Sequence, residues 1–87
     1  MMRCTITSPV TSSLFEGLSA IRIRTTSGAR ELLPGHIALI TGLAPDSMVE
    51  LVPADGSASL HIGVAAGSFF QFEQDDALIL TPSWKYG

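Results

Sequence analysis

Apolar and polar residues alternate along most of this chain. Cys4 and Ile6 share one side of Met2–Ser8, and Ile21 and Ile23 share one side of Ile21–Arg24. Leu60, Ile62 and Val64 share one side of Ser59–Val64, and Phe70 and Phe72 alternate with Gln71 and Glu73. A period of two marks strands with one face in a core and the other in water. Arg22, Arg24 and His61 therefore point outward. Turn-forming residues cut the pattern about every 8–12 positions: Pro9–Ser13, Thr26-Ser27-Gly28, Ala54-Asp55-Gly56-Ser57, Ala66-Gly67 and Gln74-Asp75-Asp76. Asp55-Gly56 reads as a hairpin turn, since that pair tolerates positive φ. Further strands are expected at Leu14–Gly17, Ala29–Leu33, Ile37–Leu43, Ser47–Val52 and Ala77–Leu80. The last of these should close the fold, because Pro82 blocks further pairing. No segment keeps a helical period beyond about one turn. The pattern predicts one all-β domain over residues 1–87, a small antiparallel β-sandwich of about eight to ten short strands. Register should be firmly set, because a slip of one residue would move every core side chain to water.

The stretch Leu32–Pro45 departs from simple alternation. Pro34 fixes its own φ and biases Leu33 toward an extended shape, and Gly35 can adopt a conformation that side chains disfavour. Leu33-Pro34-Gly35-His36 reads as a sharp corner with one titratable ring just past it. With the apolar run from Ile37 to Leu43, the plain reading is a turn leading into a buried strand.

Composition narrows the function. A chain of 87 residues makes a single small domain whose core alone is marginal, so docking on a partner is a natural stabiliser. Apolar residues make up 46% of it, enough for a dense core with surface to spare. The net charge is −3, and from Glu31 to Trp84 there are acids but no Lys or Arg. A basic stripe is missing, which argues against nucleic acid as a partner. Cys4 stands alone, reads as a small buried apolar residue, and excludes a disulfide within the chain. No apolar run reaches the roughly 20 residues that would span a bilayer as a helix. His36 and His61 have no metal-ligand spacing with Cys4, and Glu31 is the only acid close to His36 in sequence. Neither a cofactor nor a metal is indicated.

Pro34-Gly35-His36 followed by Leu39, Thr41, Leu43 and Pro45 resembles the N-terminal β-sandwich domain of the ATP synthase epsilon subunit. The similarity extends over nearly the whole chain. It includes Leu14-Phe15-Glu16-Gly17-Leu18, Ile21 and Ile23, Gly28, the Asp55-Gly56 hairpin, and Ala66-Gly67 with Phe70. There are departures: the loop before Phe15 is one residue longer, the Leu18–Ile21 region one shorter, and an acid stands at Glu31 rather than at Ala29. The residues end at Gly87, where such subunits usually continue into a pair of helices. The inhibition and ATP binding associated with that pair are not implied here.

The resemblance implies a non-catalytic central-stalk subunit of a rotary proton- or sodium-translocating ATP synthase. It would link the gamma subunit to the c ring and couple ion transport to ATP synthesis. The implied place is peripheral, on the cytoplasmic side of the inner membrane in a bacterial-type complex, reaching the membrane only through that complex. Arg30, Glu31, Pro34, Gly35 and His36 would face the c ring, and Met48, Phe69 and Trp84 are the large side chains suited to gamma. One rival is a small β-sandwich module binding a protein or carbohydrate in an aromatic groove. A second is a cupin-like barrel enzyme, for which two histidines supply too few ligands.

Overall fold

The computed structural model describes residues 1–87 and contains nine strands. They are β1 (Met2–Thr7), β2 (Ser12–Thr25), β3 (Gly28–Leu32), β4 (Leu39–Gly42), β5 (Met48–Pro53), β6 (Leu60–Val64), β7 (Phe69–Glu73), β8 (Asp76–Leu80) and β9 (Trp84–Tyr86). Hydrogen bonds join them in the order β4-β7-β8-β1-β2-β5-β6-β9, with β3 also beside β2. Laid flat, eight strands about 4.8 Å apart would span about 34 Å. The molecule measures 29 × 23 × 19 Å, so the sheet folds over on itself. Phe70, Ile79 and Ile6 from one half of the path share a single core cluster with Ile21, Leu51 and Ile62 from the other. Two layers result. One holds β4, β7, β8, β1 and the start of β2; the other holds the end of β2 with β3, β5, β6 and β9.

β2 is the joint between the layers. Leu14–Gly17 and Ile21–Arg24 belong to this single strand, and Gly17 does not end it. Instead Gly17 sits at φ +67°, within a stretch where β2 carries one residue more than β1: Met2 pairs with Leu18 and Cys4 with Phe15. A second extra residue lies against β5, where Leu18 and Ala20 face Pro53 and Val52. Bulges bend and twist a strand, and these two carry β2 from one layer into the other.

Inward positions follow the expected alternation: Cys4, Ile6, Ile21, Ile23, Ile62, Val64, Phe70 and Phe72 are buried. Several expectations need correction. β1 and β8 run parallel, so the sheet is mixed; alternation reports which way side chains face but not strand direction. Pro82 interrupts pairing only briefly, and β9 resumes against β6 in the other layer. The apolar run Ile37–Leu43 is not a buried strand. Leu39–Gly42 pairs with β7 and Leu43 makes a single bridge to Thr25, while Ile37 and Ile40 are 80% and 76% exposed. β5 and β6 stop pairing at Leu51–Leu60, so Asp55-Gly56 lies in a wider loop. There the Asp55 carboxylate accepts hydrogen bonds from the Ser57 amide and hydroxyl. The tight two-residue hairpins are Thr26-Ser27, closed by the pair Thr25–Gly28, and Gln74-Asp75, closed by the pair Glu73–Asp76, the latter with φ of 50° and 60°.

Candidate functional site

β1 and β8 run from one end of the first layer to the other, and β7 runs back. Their two ends differ in chemistry.

At the first end, residues 33–38 cross from β3 to β4 and so from one layer to the other. Pro34 and Gly35 make the bend, with Gly35 at φ +86° and the His36 amide donating to the Leu33 carbonyl at 3.0 Å. The Gly35 amide donates to Asp75 Oδ1 at 2.8 Å. His36 Nδ1 lies 2.7 Å from the Ile37 carbonyl. A ring nitrogen facing a carbonyl must donate, which leaves Nε2 as the acceptor of the neutral ring. The ring meets buried Phe72 edge-on, with centroids 6.0 Å apart. Leu33 and Ile37 are bare on either side. Glu73, Asp75 and Asp76 line the adjoining turn, where Arg3 Nη2 donates to Asp76 Oδ2 at 3.2 Å.

Arg30 and Glu31, expected beside His36, point to opposite faces of β3. Arg30 pairs with Ile23 and so lies on the core side, but it is exposed and makes no ion pair. Glu31 faces outward and is already engaged: Arg22 Nε donates to it at 2.7 Å and Arg22 Nη1 donates to Glu50 at 3.1 Å. His61 Nε2 lies 3.9 Å from the same Glu50 oxygen. Strand register explains the row, since Glu31, Arg22, Glu50 and His61 stand opposite one another across β3, β2, β5 and β6. The hydrogen bonds that Arg22 donates to Glu31 and Glu50 push its pKa up. Glu50 is held below the usual carboxylate range by Arg22 first and Ser59 next.

The second end is apolar. Ser8 and Thr11 close a short turn, with the Ser8 amide donating to the Thr11 carbonyl at 2.8 Å, and that turn presents Val10 at 87% exposure. Phe69, 57% exposed, pairs across the sheet with exposed Leu80. A shallow depression lies among Pro9, Phe69, Leu80 and Pro82. A second, among Val10, Pro82, Trp84 and Tyr86, adjoins it through Ser8 and Pro82. A third, between Met48, Val64, Trp84 and Lys85, shares Ser83, Trp84 and Lys85 with the second. Met48, Phe69 and Trp84, far apart in sequence, therefore border one continuous belt. Asp46 and Lys85 are its only charged members. Buried Ser68 and Thr81 stiffen it: their hydroxyls lie 2.7 Å apart and contact the Ala65 and Ser83 carbonyls.

Sequence reasoning missed Val10, Leu80 and Tyr86. Val10 had left a trace, as an apolar residue in a polar turn with no alternating partner. Leu80 and Tyr86 looked like ordinary strand and tail residues.

No three of His, Cys, Asp and Glu converge in a metal-holding group. The Cys4 thiol is pushed up to about 12, chiefly by burial and then by the charge of Asp76, so it stays protonated and is no nucleophile.

The family described as "ATP synthase, Delta/Epsilon chain, beta-sandwich domain" matches residues 1–85. A chain of the Euglena gracilis mitochondrial ATP synthase, solved as OSCP/F1/c-ring in rotational state 1, superposes with a TM-score of 0.84 and 26% identity. The match covers 95% of this chain and 51% of that one. A chain of the central stalk and c ring of the Tetrahymena thermophila mitochondrial ATP synthase gives a TM-score of 0.75 at 14% identity, which shows the fold alone. It covers 97% of this chain and 65% of that one. This chain thus spans about half of the first relative and under two thirds of the second. No curated protein matches it.

Proposed function

Because this chain belongs to the family of β-sandwich domains of ATP synthase delta/epsilon chains, we propose that it is a central-stalk element of a rotary ATP synthase. In this reading it joins the gamma subunit to the c ring and takes no catalytic step itself. The observation that carries the reading is a stiff body with two chemically unlike ends, set at opposite ends of β1. Six residues of strand separate them by about 17 Å. A part that passes torque needs two attachments and little give between them. The continuous hydrogen-bonded path and the single core supply the stiffness.

The apolar belt suits gamma. Bare Phe69 and Met48, with half-buried Trp84 packed against the core, provide the few anchors that dominate most interfaces. The corner suits the ring, through Pro34, Gly35 and His36, with Arg30 free to pair and Glu31 at the margin. Polar contacts of this kind set orientation more than affinity. The protein is then peripheral to the membrane, on whichever side the complex places its stalk. A carbohydrate module is less well supported, because Trp84 and Tyr86 meet edge to face at 78° rather than forming an open platform.

Mixing the chain with its cognate gamma subunit at micromolar concentration should give a stable complex on size-exclusion chromatography. Separate elution of the two would count against the reading.

A further inference from the structure

We propose that Asp75 is a positioning residue for the corner, a latch reaching from the β7–β8 turn to the loop that carries His36. The inference rests on the reading of that corner as a docking end. Its basis is a carboxylate kept at a seat that glycine would fill with less strain, and bonded from there to the corner. Gln74 and Asp75 occupy the two central seats of a tight hairpin, at φ of 50° and 60°. Such seats favour Gly first, then Asn and Asp, which tolerate positive φ. A glycine in place of Asp75 would suit the backbone better, but it would leave the Gly35 amide without a partner.

The Asp75 carboxylate accepts that amide at 2.8 Å across 40 residues of sequence. This is the one hydrogen bond that ties residues 33–38 to another part of the chain. The remaining ones in the corner are internal, from the His36 amide to Leu33 and from the His36 ring to Ile37. Asp75 is itself anchored, because its carbonyl accepts the Arg3 amide of β1 at 3.0 Å. The latch therefore runs from β1 through the turn to the bend next to His36. It sets the height and angle of a loop whose ring is otherwise held only by its bond to the neighbouring Ile37 carbonyl and its edge contact with Phe72. A carboxylate acceptor makes a stronger hydrogen bond than a neutral one, so the corner's one tether is a strong one.

Hydrogen exchange of the 87-residue chain, followed by NMR, tests the latch directly. In Asp75→Gly the Gly35 amide should exchange roughly tenfold faster, while the melting temperature stays near that of the parent. Asp75→Asn keeps an acceptor oxygen and tolerates the same φ, and should restore slow exchange. Unchanged Gly35 exchange in Asp75→Gly would overturn the latch. Attachment to c ring carrying gamma, compared with His36→Ala, tests the positioning role. Weakening in Asp75→Gly that Asp75→Asn repairs supports it. Weakening in His36→Ala alone overturns it. If neither His36→Ala nor Asp75→Gly weakens attachment, the docking reading of the corner fails and the positioning role falls with it, whatever the exchange data show about the latch.

Discussion

At the end built from Pro9–Thr11, Phe69, Leu80 and Trp84, large apolar side chains lie bare over three adjoining depressions with almost no charge. At the other end, residues 33–38 fold into a bend whose groups are largely committed: amide to carbonyl, amide to carboxylate, imidazole to carbonyl. The contrast suggests a division of labour. Under the proposed function, area and desolvation at the first end would give strength of attachment, and the shaped loop at the second would give alignment. Between them, the outward side of the second layer carries the row Glu31–Arg22–Glu50–His61, whose charges satisfy one another. A face with its ions already paired is poorly suited to recruit a partner, so the row serves as the control surface for the comparison.

The sharpest test uses two neighbours on β7. Phe70 is fully buried and Phe69 is not. Phe70→Ala should cost about 3–5 kcal/mol and leave so small a domain largely unfolded. Phe69→Ala should cost less than about 1 kcal/mol in denaturant titrations yet weaken gamma binding by roughly 30-fold, as loss of an anchor does. Equal effects of the two on stability would erase the distinction between core and belt. At the corner, His36→Ala should weaken ring attachment about fivefold, the scale of a polar rim contact, and leave gamma binding alone. A loss of gamma binding in this variant would mean that the two ends do not serve separate partners.

The smallest effect belongs to the paired row. Glu50 titrates below its ordinary value of 4.5 because Arg22, and then Ser59, stabilise its charged form. Its contribution is present above the unfolded carboxylate pKa and is lost as the pH falls through the lower, folded value. Glu50→Gln should flatten stability against pH below about 4.5 and change neither partner contact. Because Arg22 is half-exposed and solvent screens the pair, the change should be modest, read as a shallower acid limb in thermal melts. A partner-binding defect in this variant would remove the row from its role as control.

Much of this architecture is legible in the sequence because it is local. Ile21 and Ile23, Leu60 to Val64, and Phe70 and Phe72 each declare a buried face by alternation, and Pro34-Gly35 declares a bend. What was hidden depends on residues distant along the chain. Alternation cannot tell that β1 lies parallel to β8, because direction is set by how the intervening chain is routed. Gly17 reads as a strand end, since a bulge and a terminus present the same glycine. Trp84–Tyr86 is too short to show a period. The proposed contact surfaces obey the same rule. Pro34, Gly35 and His36 are adjacent and could be read together, whereas the belt unites Met48, Phe69 and Trp84 only through folding. Glu31 could be placed near the corner, but its commitment to Arg22 could not be foreseen, because that pair forms across two strands joined by a hairpin. Asp75 reads as one more polar turn residue until its carboxylate is seen on Gly35.

Hydroxyl-radical footprinting of the chain alone, with gamma, and with gamma on the c ring tests the two-ended design most directly. Phe69, Met48 and Tyr86 should lose most of their oxidation when gamma is added, while Leu33, His36 and Ile37 should change only when the ring is present, and His61 should change in neither case. Belt residues that stay reactive beside gamma, or corner residues shielded by gamma without the ring, would contradict the account.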